Sequence, residues 1–327
     1  MTGSDATIKP AFVLDLAQAQ AIVDRFAPRS RVVSLEELHG GAISRVYGVA
    51  CTDESSPDLV IKTYPELLRW KLAKEVFLYR YLAGNKHLPV PRVLWHDDSR
   101  TIVPLAVLVL TRLDGQILQP LEASLSDDDL FGLYAQMGRT LRHFHDVRMA
   151  AFGYLVGGGV KDPHASNDAY MLFQFDKKLR EFRQCGGSEA LAARMARHVA
   201  AGAHLLKASA LPVFCHDDFH TGNVLVRHEA GARWQLTGVV DVENAVAGDP
   251  LLDIAKTLLY SVGESLPKRN GLLAGYGPID RPQWQAAVDL YRMYHALEWW
   301  DWTASIGGTP PDWLIGEMER VTAVGIR

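Results

Sequence analysis

The chain has 327 residues, of which 48 % are hydrophobic and 22 % charged, and carries a formal net charge of -4. This length exceeds one comfortable core and suits two lobes, while the charge offers none of the basic surface expected of a nucleic-acid binder. Three cysteines without paired spacing (Cys51, Cys185 and Cys215) fit a reducing, cytoplasmic setting better than a disulfide framework.

Residues 1–9 are polar and lack the basic-then-apolar pattern of a signal peptide. Residues 13–26 carry a helical apolar pattern. Two apolar runs, 32–38 and 46–50, flank the Gly40-Gly41 pair and predict a hairpin; a third strand follows at 59–63. Leu72, Val76, Tyr79 and Ala83 recur at helical spacing and predict a helix over 68–83, which Pro89 and Pro91 keep from continuing. Residues 102–110 form the longest apolar stretch, too short to span a bilayer and broken by Pro104, so no membrane segment is expected. Residues 107–110 read as a buried strand that ends in a linker, 111–115.

Beyond the linker the chain turns helical. Ser126 followed by Asp129 is an N-cap signature, and Leu130, Leu133, Met137, Leu141 and Phe144 form one stripe behind it. Residues 155–167 are rich in Gly, Pro and Asp and predict a mobile loop. Helices are expected over 169–185, 188–209 and 284–302, with a strand-loop-strand block at 213–242. The order is therefore an N-lobe rich in strands (1–110), a hinge (111–115) and a mainly helical C-lobe (116–327), an α+β chain.

Chemistry concentrates in the strand-loop-strand block. Asp218 is followed five residues later by Asn223 and then by an apolar strand. Phosphoryl transfer to a hydroxyl needs a carboxylate to orient and accept the hydroxyl proton, together with oxygen ligands for magnesium. Asp218 suits the first task and Asn223 the second. Asp241 closes the next apolar strand, where its carboxylate emerges at the strand end as the principal magnesium ligand. Asp253, after Gly248-Asp249-Pro250, reads as a structural acid bonded to the loop.

This pattern resembles the aminoglycoside phosphotransferase and choline kinase family, whose catalytic loop reads His-Gly-Asp, four residues, Asn. The later Asp241, Glu243, Gly248, Asp249, Pro250 and Asp253 resemble that family's metal-binding segment. The resemblance covers roughly residues 32–259 and implies a protein-kinase-like two-lobed fold that moves the γ-phosphate of ATP, with GTP as the alternative, to a small-molecule hydroxyl. It implies that Lys62 reaches the phosphates, that Glu75 holds Lys62 through an ion pair, and that Val60 packs on the adenine. It further implies a phosphate-covering loop with Gly40, Gly41 and Ser44, and a hinge where the Thr111 carbonyl and Leu113 amide meet the base. One departure stands out: Asp217 occupies the position where the family usually has Gly. Either its φ is negative, or its side chain makes a new contact.

Each of these residues has a plainer reading. Lys62 fits an edge strand facing water, Glu75 a solvated helix face, and Asp218 with Asn223 an ordinary surface loop. His216 and His220 beside the two acids invite a hydrolytic metal site, which leaves Lys62 unexplained; His216 and His145 read as structural. Glu298 and Asp301, three apart on a Trp-rich helix, read as a substrate wall for a cationic acceptor or as two acids on a core helix. The acceptor suggested by the resemblance is an aminoglycoside-type antibiotic; homoserine, choline, thiosugar and macrolide acceptors stay open, as does a nucleotide-binding scaffold without activity.

Overall fold

The computed structural model describes residues 10–38, 44–52, 58–209, 211–229 and 233–324. The first elements are α1 (Leu16–Val23), β1 (Val32–Leu38), β2 (Arg45–Cys51), β3 (Leu59–Tyr64), α2 (Trp70–Leu82), β4 (Val93–Asp97), β5 (Ala106–Thr111) and β6 (Gln116–Ile117). There follow α3 (Asp127–His145), β7 (Phe152–Val156), β8 (Gly159–His164), α4 (Asn167–Gln184), α5 (Glu189–Lys207), β9 (Val213–Cys215), β10 (Val224–His228) and β11 (Trp234–Val239). The last are β12 (Val246–Gly248), α6 (Pro250–Thr257), α7 (Leu266–Tyr276), α8 (Trp284–Ser305) and α9 (Asp312–Ala323). Among the described residues no helix is long and apolar enough to cross a membrane.

The chain divides into two units. The first holds the described parts of Met1–Gln116, Val156–Gly159 and Thr237–Glu243; the second holds those of Ile117–Leu155, Val160–Leu236 and Asn244–Arg327. The sequence places everything after residue 115 in the C-lobe, but the segment bearing Asp241 and Glu243 belongs to the first unit.

The first unit is built on an antiparallel sheet in the order β1-β2-β3-β5-β4. Helix α1 starts at a capping box in which Asp15 accepts from the Gln18 amide and Gln18 answers at the Asp15 amide. Its Ala19, Ile22 and Val23 share one core with Tyr47, Val49, Leu59, Ile61, Val107 and Val109. Because side chains alternate along a strand, Leu59 and Ile61 on that face turn Val60 and Lys62 to the other. Helix α2 packs against β4 and β5.

In the second unit the Ser126 hydroxyl accepts from the Asp129 amide and caps α3. The expected stripe from Leu130 to Phe144 is buried throughout. Residues 155–167, expected as a mobile loop, instead supply most of the β7–β8 hairpin. Of the glycines that suggested a loop, Gly157 and Gly158 form its turn and Gly159, at φ +131, opens β8, and the polar residues lie along the half-exposed β8. Strands β8, β7, β12 and β9 form a small sheet in that order.

Helices α3 and α7 cross at backbone distance. A Cβ added at Gly138, Gly271 or Gly275 would overlap the Leu272, Phe131 or Ala135 carbonyl respectively. Closeness here rests on the missing side chains, since backbone on both sides has nowhere to move. Gly275→Ala is therefore expected to destabilise the protein by about 1–3 kcal/mol, whereas Gly132→Ala on the same α3, where nothing approaches, is expected to be neutral or better. Thermal melts of the two variants check this.

Candidate active site

The residues singled out above fall in both units, and each group has its own geometry.

In the first unit Lys62 sits on the central strand β3, opposite Val46 on β2 and Leu108 on β5. Only 7 % of it is exposed. Its ammonium donates to Glu75 Oε1 at 2.7 Å, Asp241 Oδ1 at 3.1 Å and Glu243 Oε2 at 3.1 Å. Burial alone would lower its pKa, but Asp241, Glu243 and Glu75 outweigh burial and raise it well above the ordinary range. Glu75, on α2, also accepts from the Tyr64 hydroxyl at 2.8 Å. Burial pushes the Glu75 carboxyl up to about 7 against the opposing pull of Lys62. Glu243 takes a second lysine: Lys71, from the first turn of α2, donates to its Oε1 at 2.7 Å. Burial would raise the Glu243 carboxyl, yet Lys62 and Lys71 hold it down to about 2.

Asp241 follows β11 with φ +65, and its amide donates to the Tyr79 hydroxyl oxygen at 3.0 Å. Its side chain is 31 % exposed, against 1 % for Glu75 and 6 % for Glu243. Val60, on the face of β3 that carries Lys62, is half-buried. At the end of β5 the Thr111 amide and hydroxyl are engaged with the backbone of Arg92, and Leu113 lies half-buried beyond it. Ser44 is buried, and its hydroxyl has no partner among the described residues. Gly40 and Gly41 lie outside the described residues.

In the second unit the loop after β9 carries Asp218. Its Oδ2 accepts from Asn223 Nδ2 at 3.3 Å and from Asn244 Nδ2 at 3.2 Å. Asn223 Nδ2 also donates to the Asp218 carbonyl at 2.9 Å, which leaves its own Oδ1 as an oxygen donor of the hard type that magnesium takes. The His220 Nδ1 accepts from the Gly222 amide at 3.0 Å, so a neutral ring carries its proton on Nε2, 3.5 Å from Asp218 Oδ1. The loop is shaped by Asp253, wholly buried on α6, which accepts the His216 and Asp217 amides at 2.7 Å each. His145 Nε2 reaches the same carboxylate at 3.2 Å, while its Nδ1 meets the Tyr276 hydroxyl at 2.9 Å. Burial pushes the Asp253 carboxyl up, but His145 and the other donors outweigh it and hold it below the ordinary range. For Asp217 the expectation of a negative φ fails: its φ is +55, a left-handed backbone that aspartate tolerates better than most residues. The expected new contact is present, with its Oδ1 4.0 Å from His295 Nδ1.

The two acids of α8 part ways. Glu298 accepts from His295 Nδ1 at 2.8 Å with the Lys256 ammonium 3.7 Å away. Asp301 is 4 % exposed, and its carboxyl faces the Lys178 ammonium at 3.8 Å and the Glu181 carboxyl. Burial lifts its carboxyl to about 7, against the pull of Lys178. The reading of Glu298 and Asp301 as one substrate wall therefore does not describe Asp301, which is an interior acid.

Three of these participants escaped the sequence reading as site residues. Lys71 lies four residues before Glu75, on the same buried stripe that continues to Leu78 and Leu82, and that spacing was a usable signal. Glu243 was visible in the motif, but its two lysine partners were not. Nothing in the sequence singled out Asn244.

The family model described as the phosphotransferase enzyme family matches residues 34–287, and the chain belongs to that family. It is a small-molecule kinase, a phosphotransferase with an alcohol group as acceptor, built on a protein-kinase-like fold. The crystal structure of the aminoglycoside phosphotransferase APH(4)-Ia is similar at TM-score 0.71 and 16 % identity, covering 96 % of this chain and 100 % of that one. A ternary complex of a thermostable mutant of the same enzyme with ADP and hygromycin B gives 0.70 and 17 %, covering 93 % and 97 %. ADP-bound APH(2'')-Ib gives 0.65 and 17 %, covering 94 % and 97 %. At such identities the likeness is one of fold. No curated protein sequence matches the chain.

Between the ordinary Asp value of 3.8 and about 7, native Asp301 keeps a proton that the unfolded chain has released. Wild-type stability therefore declines as pH rises through that window. Asp301→Asn removes this loss, so the variant is expected to gain on the wild type in thermal midpoint from pH 5 to pH 8. A difference that stays constant across the series would show the acid to be solvated.

Proposed function

We propose that the enzyme transfers the γ-phosphate of ATP to a hydroxyl of an aminoglycoside-type antibiotic, and so acts as a cytoplasmic resistance kinase. The observation that carries the nucleotide part is the buried Lys62, with its three N–H groups on three carboxylates. A desolvated ammonium so held is the phosphate-binding group that phosphoryl transfer requires. Lys62 binds the phosphates and Glu75 keeps it aimed. Val60 packs on the adenine, and the Thr111 carbonyl and Leu113 amide hydrogen-bond to its edge. Gly40, Gly41 and Ser44 cover the phosphates. Asp241 and Asn223 would hold magnesium, which when bound offsets charge on the phosphate oxygens.

Asp218 orients the acceptor hydroxyl and takes its proton. Asn223 and Asn244 hold one of its oxygens and fix the direction of the other. The aminoglycoside acceptor is supported by the solved relative that binds hygromycin B, and Glu298 is the carboxylate that a cationic group of the acceptor would meet.

The test is a phosphorylation screen of aminoglycosides, homoserine, choline, a thiosugar and a macrolide with ATP and GTP, read as a phosphate-sized mass gain. At least one aminoglycoside is expected to be modified. Asp218→Asn is expected to lower that rate by about 10²-fold or more while nucleotide binding survives. Modification of another acceptor alone would refute the antibiotic reading, and full activity of Asp218→Asn would refute the assignment of the base.

A further inference from the structure

We infer that Lys71 is a positioning residue for the nucleotide: by gripping one oxygen of Glu243 it fixes the other as a standing acceptor for Lys62, which reserves the third Lys62 N–H for a phosphate oxygen. This deepens the kinase reading and rests on it.

An ammonium has three donors, and those of Lys62 go to Glu75, Asp241 and Glu243. The acceptors are not equivalent. Glu75 and Glu243 have side chains 1 % and 6 % exposed, whereas Asp241 is 31 % exposed. A phosphate arriving from solvent can take the place of Asp241 without stripping a buried partner. The direction of that third N–H is then set by how firmly the other two acceptors are held.

Both are held from behind. Glu75 is tied by the Tyr64 hydroxyl, which shares its Oε1. Glu243 is tied by Lys71, which is itself 7 % exposed and takes the oxygen that Lys62 does not use. Lys71 and Glu75 are four apart on α2, so one face of one helix supplies a strut on each side of Lys62.

Charge counting agrees. Losing Lys71 removes one positive charge from a cluster of three acids, and Glu243 is then free to turn an oxygen toward a divalent cation, in competition with Asp241.

The test uses the full-length protein with MgATP, measuring dissociation constants by calorimetry and thermal midpoints without ligand. Lys71→Met is expected to weaken MgATP by about 10-fold or more, and Lys71→Arg to restore most of it. Because Lys71 works through Glu243, the double variant Lys71→Met with Glu243→Gln is expected to bind no more weakly than Glu243→Gln alone. Wild-type affinity in Lys71→Met overturns the inference. So do losses that add in the double variant, the result expected of a lysine that touches phosphate itself. Should Lys71→Met not fold, Lys71→Ala, which likewise leaves Glu243 without this donor, carries the same comparison. A wild type that binds no MgATP refutes the kinase reading itself, an outcome distinct from all of these.

Discussion

A lysine ammonium buried in the first unit cannot stay charged without carboxylates, because removing it from water is worth several kcal/mol against it. That requirement organises the unit. Lys62 comes from the central strand, Glu75 from α2, and Asp241 with Glu243 from a segment that arrives far later in the chain. Each contributor is useful only if the others are in register, so the pairing of β3 between β2 and β5 and the seating of α2 are tied to one charge balance. The three partners also differ in exposure, from 1 % for the Glu75 side chain to 31 % for that of Asp241.

The second unit solves a different problem, that of giving a short loop a fixed shape. Asp253 accepts two consecutive amides from the loop, and Thr257, one turn on, donates to the Phe219 carbonyl at 2.8 Å. Helix α6 is set in place by Asp249, which accepts the Leu251 amide, and by Pro250 in its first turn. From Asp253 the bonds run through His145 at the end of α3 to Tyr276 at the end of α7. The glycine-mediated crossing of α3 and α7 therefore bears on where the loop carrying Asp218 stands.

The parts of this arrangement that the sequence made legible are those written in local spacing. Strand alternation put Lys62 and Val60 on one face, helical periodicity put Glu75 at the buried side of α2, and the interval from Asp218 to Asn223 marked the loop. The parts that stayed hidden depend on distant segments. Lys71 finds its partner 172 residues away, and Asn244 meets Asp218 only because the chain returns to the loop after β11. The β7–β8 hairpin was obscured because its glycines cluster at the turn and dominate the local composition. On α8 the period of the helix placed Glu298 and Asp301 on one side, but one face can meet two surroundings, and burial separated them.

Asp217 and Asp241 both adopt left-handed backbone, at φ +55 and +65. Aspartate and asparagine tolerate that conformation far better than alanine does. Replacing either acid by alanine thus changes two things together, the charge and the ease of the local turn. A deficit seen in such a variant overstates what the carboxylate contributes. Asparagine isolates the charge and glycine isolates the side chain, so the pair of replacements, rather than alanine, separates chemistry from chain geometry at these two positions.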